Sequence, residues 1–120
     1  MFIYMAVENG RYTNTELMFK IGFCYGNEKN KRRTVRYNEG YDIVKTYQIQ
    51  ARDTAGGEWI EHTTQEFIKA ASFGYRYKHI PNDRFQARSV ADILDLYQSF
   101  EQYVSKAQTL YLETFGYYGG

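Results

Sequence analysis

The chain has one cysteine, Cys24, and one proline, Pro81. A lone thiol closes no intramolecular disulfide and builds no Cys-based zinc site, so a reducing compartment is the simpler expectation. No apolar run approaches membrane-spanning length. The apolar N-terminal stretch, residues 1–7, is too short for a signal h-region and has no basic flank, which predicts an intracellular protein with no membrane partner. Charge of one sign is missing as well. The 15 Lys and Arg against 14 Asp and Glu leave a formal net charge of +1, which excludes a histone-like binder. Any nucleic-acid contact has to come from local clustering.

What is present in quantity is tyrosine, 13 residues in a chain of 120. That length suits one domain, residues 1–120, whose folding buries roughly two-thirds of the unfolded surface. Clusters at Tyr75, Tyr77, Tyr117 and Tyr118 suit base stacking, but tyrosines that bury the ring and keep the hydroxyl wet are the commoner case in small α/β domains.

Periodicity lays out the elements. Residues 2–7 read as a strand ended by the turn at Glu8-Asn9-Gly10-Arg11, and residues 17–24 as a second strand paired antiparallel to it. A loop over 25–30 leads to a short basic helix over 31–38, stopped at Glu39-Gly40. Period-two alternation over 43–50 predicts a third strand. The Gly56-Gly57 pair reads as a break before a helix over 58–71, in which Trp59, Ile60, Phe67 and Ile68 recur at helical spacing. Residues 73–85 read as an irregular, basic and aromatic loop. Ser89 and Asp92 form a capping box that opens a long helix over about 90–113. The expected fold class is α/β (α+β): a small three-stranded antiparallel sheet flanked by helices, in the order β-β-α-β-α-loop-α.

That order, with Phe2-Ile3-Tyr4 on the first strand and Lys20-Ile21-Gly22 on the second, resembles the GIY-YIG nucleases. The leading glycine is absent, and lysine stands where the second motif usually has tyrosine, as in a phage and restriction-enzyme branch of the superfamily. Downstream, Arg33 in Arg33-Thr34-Val35-Arg36 matches the family's arginine. Glu58, with His62 four residues on, matches its metal-binding glutamate, and Asn82-Asp83-Arg84-Phe85 resembles its terminal motif. The resemblance covers roughly residues 2–97. It implies a metal-dependent endonuclease that cuts double-stranded or branched DNA with one divalent ion, Mg²⁺ (or Mn²⁺). The catalytic residues would be Tyr4, Lys20, Arg33 and Glu58, with Glu58 the metal ligand and Glu61 the alternative one. Arg36, His62 and Asn82 would contact substrate. A domain this small carries no separate recognition module, so a homodimer or a recruiting partner is expected.

Phosphodiester hydrolysis asks for these residue types on its own account. It needs an activated water, neutralisation of charge on the phosphoryl oxygens, and help to the leaving oxygen. Glu58 offers hard oxygens to Mg²⁺. Arg33 offers a planar fork to phosphate, and Lys20 would depress the pKa of Tyr4 so that its phenolate acts as base. Each residue also has a structural use: core tyrosine, solvated strand lysine, surface arginine, helix-start glutamate. The missing glycine and altered terminal motif leave open a catalytically weak or inactive relative that binds nucleic acid or protein. The basic run Lys29, Lys31, Arg32, Arg33 and Arg36 is either a phosphate-binding face or a solvated charge run.

Overall fold

The computed structural model describes residues 1–9, 17–71, 76–80 and 83–116. Five strands form one antiparallel sheet: β1 (Phe2–Glu8), β2 (Met18–Cys24), β3 (Tyr41–Gln48), β4 (Tyr77–Ile80) and β5 (Arg84–Ala87), in the order β3-β1-β2-β5-β4. Three helices complete it: α1 (Glu28–Thr34), which continues into a π-helical turn at Val35–Glu39, then α2 (Thr54–Ala71) and α3 (Val90–Phe115).

β1 is apolar at every position from Phe2 to Val7 because it lies inside the sheet and is covered on both faces. Ile3 and Met5 point into a core shared with Phe19 and Ile21 of β2 and with Ile60, Ile68, Leu96, Phe100 and Val104 of α2 and α3. Phe2, Tyr4 and Ala6 point the other way, into a smaller cluster with Cys24, Tyr41 and Ile43, closed by Val35 of the π turn. Burying side chains of this size on each face contributes about 1.5–3 kcal/mol apiece.

The three-stranded sheet expected from the sequence is corrected to five. Part of the segment read as a loop is the hairpin β4–β5, laid on the open edge of β2 with Phe85 opposite Phe19. Its strands have four residues each, and only Phe85 and Ala87 alternate as buried positions within β5, too few repeats to register as a period. Arg76 anchors the hairpin to α3, bonding Asp92 and Asp95 at 2.8 Å each. Tyr77 is buried and donates its hydroxyl to the Asp92 carbonyl, so it packs and does not stack on bases. Tyr75, Tyr117 and Tyr118 lie outside the described residues.

Two helices start earlier than expected. Asn27 caps α1, its side chain accepting from the Asn30 amide at 3.1 Å. Asp53 does the same for α2 through the Gly56 amide at 2.8 Å. The glycine pair read as a break therefore lies inside α2. A Cβ at Gly57 would stand 2.3 Å from the Phe23 ring, and one at Gly56 2.7 Å from the Tyr111 hydroxyl, so both glycines admit rings against the helix backbone. β3 runs two residues ahead of the expected strand. Ser89 caps α3 as expected, accepting from the Asp92 amide at 3.2 Å. Among the described residues no helix is long and apolar enough to cross a membrane.

Candidate active site

β5 pairs with β2 as far as Lys20 opposite Arg84, and one further bond joins the Ile21 amide to the Asp83 carbonyl at 3.1 Å. Beyond that point the two strands part, and polar side chains from four elements and the Asp83 turn gather at the notch.

Tyr4 lies directly across the ladder from Gly22. A Cβ at position 22 would stand 2.3 Å from the tyrosine's Cζ and Oη, so glycine is what lets the phenol lie flat over β2. Lys20, two residues earlier on the same face, brings its ammonium 6.0 Å from the ring centroid, and Lys31 of α1 comes within 5.7 Å. Lys31 and Val35 share the inward side of the helix, one turn apart. Glu39, the last residue of the π turn, forms an ion pair with Lys20. The π turn ends at Gly40 in the left-handed conformation, φ 78°.

From the opposite side α2 contributes Glu61, which is only 6% exposed. Gln65, one turn further, donates to the Ile21 carbonyl at 3.0 Å and to Asp83 Oδ1 at 3.2 Å, and so ties the helix to the strand edge and holds the aspartate. Asp83 occupies the left-handed region at φ 67°, a conformation that Asp accepts more readily than most residues. Glu61, His62 and Asp83 each offer a ligand atom, all within 4.8 Å of one another. His62 sits on the exposed rim, its Nε2 3.4 Å from Glu61 Oε1.

Burial above all, then the Asp83 and Glu58 carboxylates, push the Glu61 carboxyl up to about 8, against the opposing pull of Lys20 and Lys31. The donor set fits a hard divalent cation. Mg²⁺ takes one or two protein carboxylates and keeps its remaining waters, and a cation between Glu61 and Asp83 would offset both the burial and the Asp83 repulsion that raise the Glu61 pKa.

Burial first, then the charges of Glu39, Glu61 and Asp83, raise the Tyr4 phenol well above its ordinary range. The expectation that Lys20 depresses it is therefore corrected. The ammonium is paired with Glu39, and Glu39 adds its own upward push, so Tyr4 keeps its proton at neutral pH.

No family model matches this chain, and neither does any curated protein or solved structure. The geometry places the side chains as follows. Tyr4 and Lys20 meet where the sequence puts them. Glu58 is exposed on α2, one turn before Glu61, near enough to raise the Glu61 pKa but outside the buried group. Arg33 is exposed, about 200° around α1 from Lys31, and is not brought to the notch. Arg36 is exposed and 3.6 Å from Asp42. Asn82 lies outside the described residues. Lys31, Glu39 and Asp83 were not singled out as site residues from the sequence. The signal for Lys31 was the single apolar residue of its helical segment, Val35, four positions on. For Asp83 it was adjacency to Asn82 in the terminal motif.

Proposed function

We propose that the chain is a metal-dependent DNA endonuclease related to the GIY-YIG nucleases, hydrolysing phosphodiester bonds at the notch between β2 and β5. One observation carries this reading: two lysines and a tyrosine gather close enough to two carboxylates, Glu61 and Asp83, for the lysine charges to act on Glu61 and the carboxylate charges on Tyr4. A buried carboxyl with a strongly raised pKa destabilises a small domain and is characteristic of functional sites. Glu61 and Asp83 would hold Mg²⁺ or Mn²⁺, taking over the ligand role that the sequence suggested for Glu58. When bound, the ion would polarise the scissile phosphate and supply a water of lowered pKa.

The remaining roles fall to the side chains. Lys31 and Lys20 are placed to neutralise charge that develops on the phosphoryl oxygens. The protonated Tyr4 hydroxyl orients the attacking water or donates to a phosphoryl oxygen. Release of Lys20 from Glu39 would lower the phenol's pKa toward a range in which it accepts a proton. Plasmid nicking with and without EDTA tests the reading, using wild type and Glu61→Gln. Mg²⁺-dependent nicking in wild type and its loss in the variant are expected; equal nicking in both removes Glu61 from the mechanism.

A second reading is a domain that binds nucleic acid without cutting it. The Lys20–Glu39 pair and the raised Tyr4 pKa favour it, because together they leave the phenol inactive as a base. Binding that persists with no metal-dependent nicking would select it.

A further inference from the structure

We propose that the outward face of α1 and its π-helical continuation is a binding track for unpaired nucleotides, so that DNA with a single-stranded segment is preferred over blunt duplex. The inference rests on the nuclease reading for what happens to the bound strand, but on the surface alone for binding.

Lys29 and Arg33 are four residues apart, with Tyr37 a further four on, and all three are exposed. This is the spacing that lines side chains along one helix face. Neither Lys29 nor Arg33 has an ion-pair partner among the described residues. Arg32 is the contrast, since its guanidinium is used by the Ile43 carbonyl at 2.8 Å and Glu28 at 3.2 Å. Exposed aromatic residues precede and follow these cations in the chain. Tyr37 is 74% exposed, with the Arg36 guanidinium 5.8 Å from its centroid, and Tyr25, in the turn leading into α1, is 66% exposed.

Only the inward side of the segment, at Val35, joins the core. α1 buries none of its residues, and the π turn buries only Val35. Its outward face is therefore open to a ligand. π-helical turns are rare and recur at functional sites, and this one also carries Glu39 to the notch. Cations unpaired among the described residues, with exposed aromatic residues before and after them in the chain, match what a single strand offers, a phosphate backbone with bases free to stack. Duplex DNA hides its base faces and would use the cations alone. An α-helix is about 10 Å thick, so a strand crossing α1 reaches Lys31 and the notch within a few nucleotides.

The test is fluorescence anisotropy of the full chain in EDTA with three labelled DNAs: a single strand, a blunt duplex of equal length, and that duplex carrying a single-stranded flap. The single strand and flap should bind about tenfold tighter than the blunt duplex, the order of one stacked base. Tyr25→Ala with Tyr37→Ala should abolish the preference while circular dichroism stays unchanged, and Phe at both positions should retain it. Lys29→Ala with Arg33→Ala should weaken binding to all three and reduce the salt slope by about 2. Equal affinity for the three DNAs, a preference that survives the double alanine change, or equally tight binding of an acidic polypeptide overturns the proposal. Cleavage is scored separately in Mg²⁺. A strand preference without cleavage defeats the nuclease reading and supports the track; cleavage without preference defeats the track and supports the nuclease.

Discussion

Replacing Glu61 by glutamine keeps the shape of a buried side chain and removes its titration. The folded chain holds the Glu61 proton up to about pH 8 against an ordinary value of 4.5. The stabilising contribution is thus fully present below 4.5, where the carboxyl is protonated in both states. It is lost as pH rises through about 8. At about 1.4 kcal/mol per pH unit, the ceiling on that loss is about 5 kcal/mol, and structural relaxation around the charge lowers it to roughly 2–4 kcal/mol. That is a large share of the 5–15 kcal/mol typical of a domain. Urea unfolding of wild type and Glu61→Gln, compared across the window from 4.5 to about 8, should show the glutamine protein gaining on wild type as pH rises. Titrations of groups that do not couple to Glu61 cancel in the difference. Mg²⁺ added at the alkaline end should raise the stability of wild type by about 3 kcal/mol at a hundredfold excess over Kd, and leave Glu61→Gln unmoved. Parallel stability curves for the two proteins would refute the claim that Glu61 is held in a charge-disfavouring pocket.

Gly22→Ala should cost about 1–3 kcal/mol and most of the activity, because its Cβ stands 2.3 Å from Tyr4 and must displace the ring. Gly26→Ala, which meets nothing within 4 Å, is the control in the same melting and nicking assays. Lys31→Met should reduce the cleavage rate about 10²–10³-fold, whereas Arg33→Met should alter DNA affinity and leave the single-turnover rate near wild type; equal rate losses would put Arg33 in the site. Glu39→Gln should lower the pKa of the Tyr4 phenol, since Glu39 is among the charges that raise it, read as the difference between tyrosinate absorbance titrations of Glu39→Gln with and without Tyr4→Phe. A Tyr4 titration no lower than in wild type would show that Glu39 does not act on the phenol.

The first two strands and the long helix are legible in the sequence because each carries a long, uninterrupted signal: apolar runs for β1 and β2, and a Ser-x-x-Asp cap before an apolar stripe for α3. The pairing that sets Tyr4 and Lys20 on one face follows from those strands alone. The rest of the site turns on helix phase and on a short hairpin. With α1 read as starting at Lys31, the link from Lys31 to Val35 one turn on is a single contact, outweighed by the motif match at Arg33. The true start at Glu28 and the anchoring of Val35 turn Lys31 inward. Glu58 and Glu61 posed the same question on α2, decided by Gly57 packing on Phe23 and Gln65 bonding β2. Asp83 could not be placed while β4 and β5 were read as loop, since its position is defined by the turn between them.

The residues of the notch come from positions 4, 20, 31, 39, 61 and 83, and the last of these is aligned by a hairpin that Arg76 fastens to α3. Asp83 is held beside Ile21 by the backbone contact that ends the β2–β5 ladder, so the site is complete only when the sheet is. A chain stopped short of residue 83 would carry Tyr4, both lysines and Glu61 but not the second carboxylate. On the nuclease reading, catalytic competence would then report on the folded population as a whole.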